Sequence, residues 1–391
     1  MKTKIAAWGL MVATAAACSL KVGAAEETKP FTPEEIRAIL AHGPWPVPVK
    51  TDPSNRVSGK AEAIEFGERL FFDQRLSGSG KFACGSCHVP ERNWTDNQTL
   101  GAAAAAVDRN TPTLMNVRLG RWFGWDGAAD SLWAQSMRPF LDARELASSP
   151  RKVADLVRKD EQLACRYRNS FGAAPSASDD EAVLVDVSKA LAAFVETLGS
   201  SSTPFDRFRD ALARGEPVTP WLYSEAAQRG LKIFIGKGTC STCHSGPNFS
   251  DGEFHNNGFS ARATQARADP GRAQGLVRVR ESRFNLQGRY NDDATRSTAQ
   301  KALAASSEQA KPGEFKVPTL RHLLTTAPYG HHGEFATLSE VVQHYSEQET
   351  PGSEIKPLRL TRDEQSDLVV FLESISTFTN PWRPDEGWRC R

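Results

Sequence analysis

Methionine is nearly missing from this chain: four occur in 391 residues, at positions 1, 11, 115 and 137, and none follows Met137. A metal centre built from the C-terminal half therefore has no thioether within that half to use as a ligand. Histidine is also sparse, with 8 residues and none between His88 and His244. Neither sign of charge dominates, since 48 Lys and Arg face 47 Asp and Glu. That balance gives no electrostatic footprint for nucleic acid or for an acidic membrane surface. No apolar run approaches the roughly 20 residues of a membrane-spanning helix. No segment reads as a long strand, so the composition points to a mainly α protein.

What is present begins with an export signal. Lys2 and Lys4 precede the apolar run Ile5 to Ala17, and Val22-Gly23-Ala24-Ala25 follows. A positive start, a short apolar stretch and a small-residue cleavage site read as a signal peptide over 1–25. The mature chain then starts near Glu26 and works in the periplasm. Cys18 is the alternative, as a lipid anchor, although Ala15-Ala16-Ala17 lacks the large aliphatic residue such sites show. Of the 7 cysteines, Cys165 and Cys390 stand outside every motif. In an oxidising compartment they are expected to pair as a disulfide; two unrelated buried thiols are the alternative.

Four other cysteines form two runs, Cys84-Gly85-Ser86-Cys87-His88 and Cys240-Ser241-Thr242-Cys243-His244. C-x-x-C-H is the attachment site of c-type haem: the thiols bond to the porphyrin and the adjacent His ligates iron. Half of a zinc site or a thioredoxin-like redox pair is the competing reading. Two copies in an exported chain favour two covalently bound haems, with His88 and His244 as proximal ligands.

Taken in order, residues 26–59 are Pro-rich and read as an extended surface arm, broken by a short helix after Thr32-Pro33-Glu34-Glu35. Helices are expected over 60–72, 131–140, 150–158, 178–198 and 221–234, and after the capping boxes at Thr337 and Thr361. Ser178 is expected to open the 178–198 helix. Gly101 to Ala106 is an alanine run, and 251–315, without clear period, reads as loops. A boundary within Gly199 to Pro204, with Pro220 as the latest alternative, divides an N-terminal haem domain, 60–203, from a C-terminal one, 204–391.

An internal repeat relates the two. Thr111-Pro112-Thr113-Leu114 matches Val317-Pro318-Thr319-Leu320 at an offset of 206, and the same offset pairs Gly124 with Gly330, Gly127 with Gly333, and Ser131-Leu132 with Thr337-Leu338. The haem motifs differ by 156, so about fifty extra residues lie between motif and repeat in the second domain. The offset also pairs Pro139 with Tyr345. Proline offers iron nothing, whereas a phenol is a ligand. The first haem is then open and the second closed by Tyr345, with His331, His332 and His344 as alternative ligands.

At these residues the chain resembles the bacterial dihaem cytochrome c peroxidase family, including its methylamine-utilisation relative MauG. The likeness spans about 60–378 and is carried by Leu70 to Ser77, the haem motifs, Arg109-Asn110-Thr111-Pro112, Trp125-Asp126-Gly127, Ala327-Pro328-Tyr329 with Gly333, and Thr337 to Tyr345. It implies two cytochrome c-like domains with a calcium ion between them, at Asn110, Thr326 and Pro328. Tyr345 sides with MauG, where peroxidases have Met. Gln135, Pro139 and Glu145 fit the MauG distal spacing, and Trp125 matches the tryptophan between the haems. In two respects the chain departs from its relatives. The alanine run holds no His that closes the first iron, so activity without reductive activation is expected. Gly238 stands where MauG has a surface Trp, leaving Trp221 and Trp94 as possible substitutes.

The resemblance implies a periplasmic peroxidase that reduces hydrogen peroxide at the open first haem, with Glu145 and Gln135 moving the proton and Trp125 joining the haems. Electrons come from a small c-type cytochrome or copper protein. The alternatives are a MauG-like enzyme oxidising side chains of a partner protein, and a non-enzymatic electron carrier, which Pro139 argues against.

Overall fold

The computed structural model describes residues 30–259, 269–306, 310–350 and 352–377, with Trp382 and Cys390. The signal peptide and Cys18 lie outside the described residues. Among those described there are thirteen α-helices and one two-stranded sheet. The helices are α1 (Pro33–Leu40), α2 (Ala61–Phe71), α3 (Cys84–Cys87), α4 (Leu132–Leu141), α5 (Pro150–Lys159), α6 (Glu161–Phe171) and α7 (Asp180–Val195). They continue with α8 (Pro204–Ala213), α9 (Glu225–Ile235), α10 (Arg272–Glu281), α11 (Ser297–Ser306), α12 (Leu338–Glu347) and α13 (Arg362–Ser374).

Local signals in the sequence account for most of these ends. Thr32, Thr337 and Thr361 each close a capping box with the Glu three residues on, satisfying backbone N–H groups that no helix can satisfy itself. The 178–198 helix is capped by Asp179, not Ser178: its carboxylate accepts from Ala182 N.

Among the described residues there are two large hydrophobic cores. α2, α4, α5, α6 and α7 build the first around Phe66, Trp133, Phe140, Tyr167 and Phe194. α1, α8, α9, α12 and α13 build the second around Phe205, Phe234, Phe249 and Phe371. In each, one helix pair crosses at a glycine. A Cβ on Gly67 of α2 would lie 2.0 Å from the Ala190 carbonyl oxygen of α7, and one on Gly230 of α9 the same 2.0 Å from that of Asp367 in α13. Only glycine lets the backbones approach so closely.

The repeat is geometric as well as sequential. α4 and α12 have matching limits at an offset of 206. Asn116 and His322 are both left-handed, and the bridge Phe123–Ala129 recurs as Tyr329–Phe335.

Two expectations need correction. The arm at 26–59 does not lie on the surface: Phe31, Ile39, His42 and Trp45 are buried, with Phe31 and Ile39 in the second core. The stretch 251–315 is not all loop. It forms α10, α11 and the antiparallel pair Phe254–His255 with Phe315–Lys316. Part of it crosses to the other domain, where Leu286 and Ala302 enter the first core and Asp292 pairs with the buried Lys189.

Candidate functional site

The first Cys-x-x-Cys-His run is a single helical turn, Cys84–Cys87, capped by His88, and the second a 3-10 turn, Cys240–Thr242, capped by Cys243, with His244 N bonded back to the Cys240 carbonyl at 2.9 Å. The His88 and His244 rings are held from behind. Nδ1 of His88 donates to the Trp94 carbonyl at 2.9 Å, and Nδ1 of His244 to that of Phe249 at 3.0 Å. Trp94 and Phe249 both adopt left-handed backbone, at φ 62° and 50°. That geometry costs a bulky residue on the order of 1–2 kcal/mol and turns each carbonyl toward its imidazole. Burial lowers the pKa of both histidines, so each ring is neutral with Nε2 left as the ligand.

Burial pushes the Cys84 and Cys240 thiols up to about 12 and that of Cys87 to about 11. A thioredoxin-like pair needs the opposite shift. Among the described residues no set of three ligating side chains gathers at the first motif, whereas Cys243, Asp251 and His255 come together at the second. Gly85 fits the haem reading, because a Cβ there would meet Phe72 at 2.5 Å.

Both motifs line one continuous cavity of about 1820 Å3, larger than the roughly 300–1,000 Å3 of a single small-molecule site. Gln135 and Pro139 enter it one turn apart on α4, and Glu145 reaches it from the following turn. Arg138 also lines it and donates from Nη1 to Gln135 Oε1 at 3.2 Å. Burial raises the Glu145 pKa, and the Arg138 charge opposes that shift. The alanine run folds as a tight turn on this segment, with Ala104 N donating to the Glu145 carbonyl at 3.1 Å and Ala105 N to that of Arg144 at 2.8 Å.

At the other end Tyr345 of α12 faces the cavity, and its hydroxyl accepts from Asn257 Nδ2 at 2.9 Å. His344 is turned away, buried against Phe259 and Phe335. His331, His332 and Trp125 also line the cavity. Trp125 Nε1 donates to the Asn110 carbonyl at 2.9 Å, and Asn110 N donates to the His331 carbonyl at 2.9 Å. Thr326 and Pro328 line the same region. Trp94 is 4% exposed, so it is no surface site, whereas Trp221 is 87% exposed.

Sequence reasoning quoted Arg109 without giving it a role. It joins the domains by pairing with Asp126 at 2.9 Å and with Asp269, both Nε and Nη2 bonding that carboxylate. Arg138 and Lys316 were also missed. Lys316 lines the cavity, and burial lowers its pKa to about 8. Cys165 and Cys390 form the expected disulfide.

Residues 61–213 match the family described as di-haem cytochrome c peroxidase. The chain is 31% identical over 376 residues to the methylamine utilization protein MauG of Methylorubrum extorquens, covering 94% of this chain and 93% of the relative. It is 33% identical to the cytochrome-c peroxidase IdrP2 of Denitromonas iodatirespirans, covering 82% and 83%. Among solved structures it is similar to a MauG-like protein associated with microbial copper homeostasis, at a TM-score of 0.63 and 25% identity, over 87% of this chain and all of the other.

Proposed function

Because the chain belongs to the family of dihaem cytochrome c peroxidases and MauG, we propose that its first haem, on His88, is the open site of a peroxidase acting without reductive activation. It is an oxidoreductase acting on hydrogen peroxide, and its two haems supply the redox chemistry. The observation that carries the reading is the pairing of Pro139 with Tyr345. The two occupy the same place on α4 and α12, both facing the cavity, and only one bears a ligand atom.

Tyr345 would hold the second haem on the side opposite to His244. Glu145 takes the proton from the near oxygen of peroxide and delivers it to the far one. The Gln135 amide, held by Arg138, orients the peroxide for that transfer. The calcium ion would be held by Asn110 and the Thr326 and Pro328 carbonyls, an all-oxygen set suited to that ion. Trp125 lines the same cavity and connects the two haems. The protein works in the periplasm after export, with a small c-type cytochrome or copper protein as donor. Among the described residues no helix is long and apolar enough to cross a membrane.

A second reading, oxidation of a partner protein in the manner of MauG, draws support from Trp221, a large and exposed aromatic. Replacing Trp221 by Phe separates the two: it slows oxidation of a protein substrate and leaves turnover with a small soluble donor unchanged.

The test of the main reading is an electron paramagnetic resonance spectrum of the oxidised holoprotein, before and after one equivalent of peroxide. One high-spin and one low-spin ferric signal, both lost on adding peroxide, is the expected result. Two low-spin signals indifferent to peroxide would overturn it.

A further inference from the structure

Three ligating side chains to which the peroxidase reading gives no role converge on the wall of the haem cavity. One ligand atom from each of Asp269, His331 and His332 lies within 4.8 Å of the other two. His331 is 3% exposed, and its Nε2 has no hydrogen-bond partner. His332 Nε2 lies 3.5 Å from Asp269 Oδ2. That is close to the spacing of about 3.4 Å between two donors on a tetrahedral ion with bonds of about 2.1 Å.

The atoms behind these donors are arranged as a metal site requires. Nδ1 of His331 and Nδ1 of His332 both face Glu334 Oε1, at 3.9 and 3.6 Å. These are ion-pair spacings, longer than hydrogen bonds, and they place the Glu334 carboxyl behind both rings. Asp269 is held by Arg109, which donates to both of its oxygens, and by Gly271 N, which donates to Oδ1, while Oδ2 also faces His332 Nε2.

We propose that Nε2 of His331, Nε2 of His332 and Oδ2 of Asp269 bind one divalent transition-metal ion, with Glu334 as the shared carboxylate behind the two imidazoles. Two nitrogens and one oxygen suit Zn2+ or Cu2+ and disfavour Ca2+, which takes oxygen ligands. The site is thus distinct from the calcium position at Asn110, Thr326 and Pro328. It stands beside Trp125, whose ring is 6.3 Å from that of His331. A dication there opposes removal of an electron from the indole, because like charge is placed next to like. Metal occupancy is therefore a brake on exchange between the haems. The proposal rests on Tyr345, rather than His331 or His332, closing the second haem.

The experiment is a calorimetric titration of chelator-treated holoprotein with ZnCl2 in excess Ca2+, alongside His332→Ala, Asp269→Asn and Glu334→Gln. Wild type should take up one Zn2+ that Ca2+ does not displace. His332→Ala and Asp269→Asn should abolish that binding, and Glu334→Gln should weaken it about ten- to hundredfold. If one variant fails to fold, the other carries the same test. Wild type that binds no Zn2+, or binds it no more tightly than either ligand variant, overturns the site. The low-spin ferric signal of His332→Ala reads the second haem separately. Its loss would make His332 an iron ligand and overturn the proposal along with the Tyr345 reading.

Discussion

Trp125 and His331 are repeat-related residues, 206 positions apart, whose rings meet at 6.3 Å with their planes at 59°. Each comes from the loop before its domain's distal helix, α4 or α12. The pseudo-symmetric halves therefore touch through equivalent positions, one an indole and the other an imidazole. At that contact the two copies differ in chemistry: one side carries an oxidisable ring, the other ring nitrogens.

The same pairing of α4 with α12 predicts the effect of giving the first domain the second domain's residue. Pro139→Tyr should close the first iron. Two low-spin ferric signals and loss of peroxide reactivity are expected. A surviving high-spin signal would show that position 139 does not face the iron.

Glu145→Gln should slow peroxide cleavage by about a hundredfold with both haems retained. The wild-type pH profile carries a matching sign. Burial raises the Glu145 pKa above its ordinary 4.5, and the base acts only when ionised. Stopped-flow rates should thus fall with acidification, around a midpoint above that value, and this limb should vanish in the variant.

Glu196, behind the first core, reports on stability rather than rate. Burial raises its pKa to about 7, against the hydrogen bond from Ser58. A carboxyl whose folded pKa is raised contributes stability below its unfolded value near 4.5 and loses it as pH rises through about 7. Glu196→Gln should therefore stabilise the fold at pH 8, by on the order of 2 kcal/mol, and give no gain at pH 4. Denaturant melts at the two pH values decide it.

The helix crossing at Gly230 leaves no room for a methyl group. Gly230→Ala drives a Cβ into the Asp367 carbonyl and should cost about 3 kcal/mol by chemical denaturation. Gly215→Ala is the control. That glycine is left-handed with open space around it, so its cost is one of backbone strain alone, about 1 kcal/mol.

The disulfide should be worth on the order of 2–4 kcal/mol, because it restrains a loop of 225 residues in the unfolded chain. Cys165→Ser should lower the thermal midpoint accordingly, and no change would place the unfolded chain's restraint elsewhere.

The fold was legible where its signals are local. Thr32, Thr337 and Thr361 announce their helices by side-chain chemistry three residues long, and the repeat places α12 from α4 without any structure. What was missed lacks such signals. α10 buries Arg272, Leu276 and Val279 within a run of arginines, and α6 buries Arg166 and Ser170 beside Leu163 and Tyr167, so neither shows an apolar period. α8 begins with a capping box at Thr203, but the same residues also read as a domain boundary. In the site, the haem motifs are consecutive in sequence and were found at once. Asp269, Arg109 and Asp126 are far apart in the chain, and their meeting depends on how the domains dock.

The crossing of residues 284–302 onto the first core has a consequence for how the chain matures. A chain made from its N-terminus presents Cys84, Cys87 and His88 long before Leu286 and Ala302 arrive. The first domain emerges early yet cannot close over its hydrophobic interior until most of the second has followed. Haem can therefore be attached to the first motif while the surrounding wall is still incomplete, and the later segment then seals it. Chains halted before residue 286 should carry haem on His88 in an unclosed core, exposed to proteases that the finished protein resists.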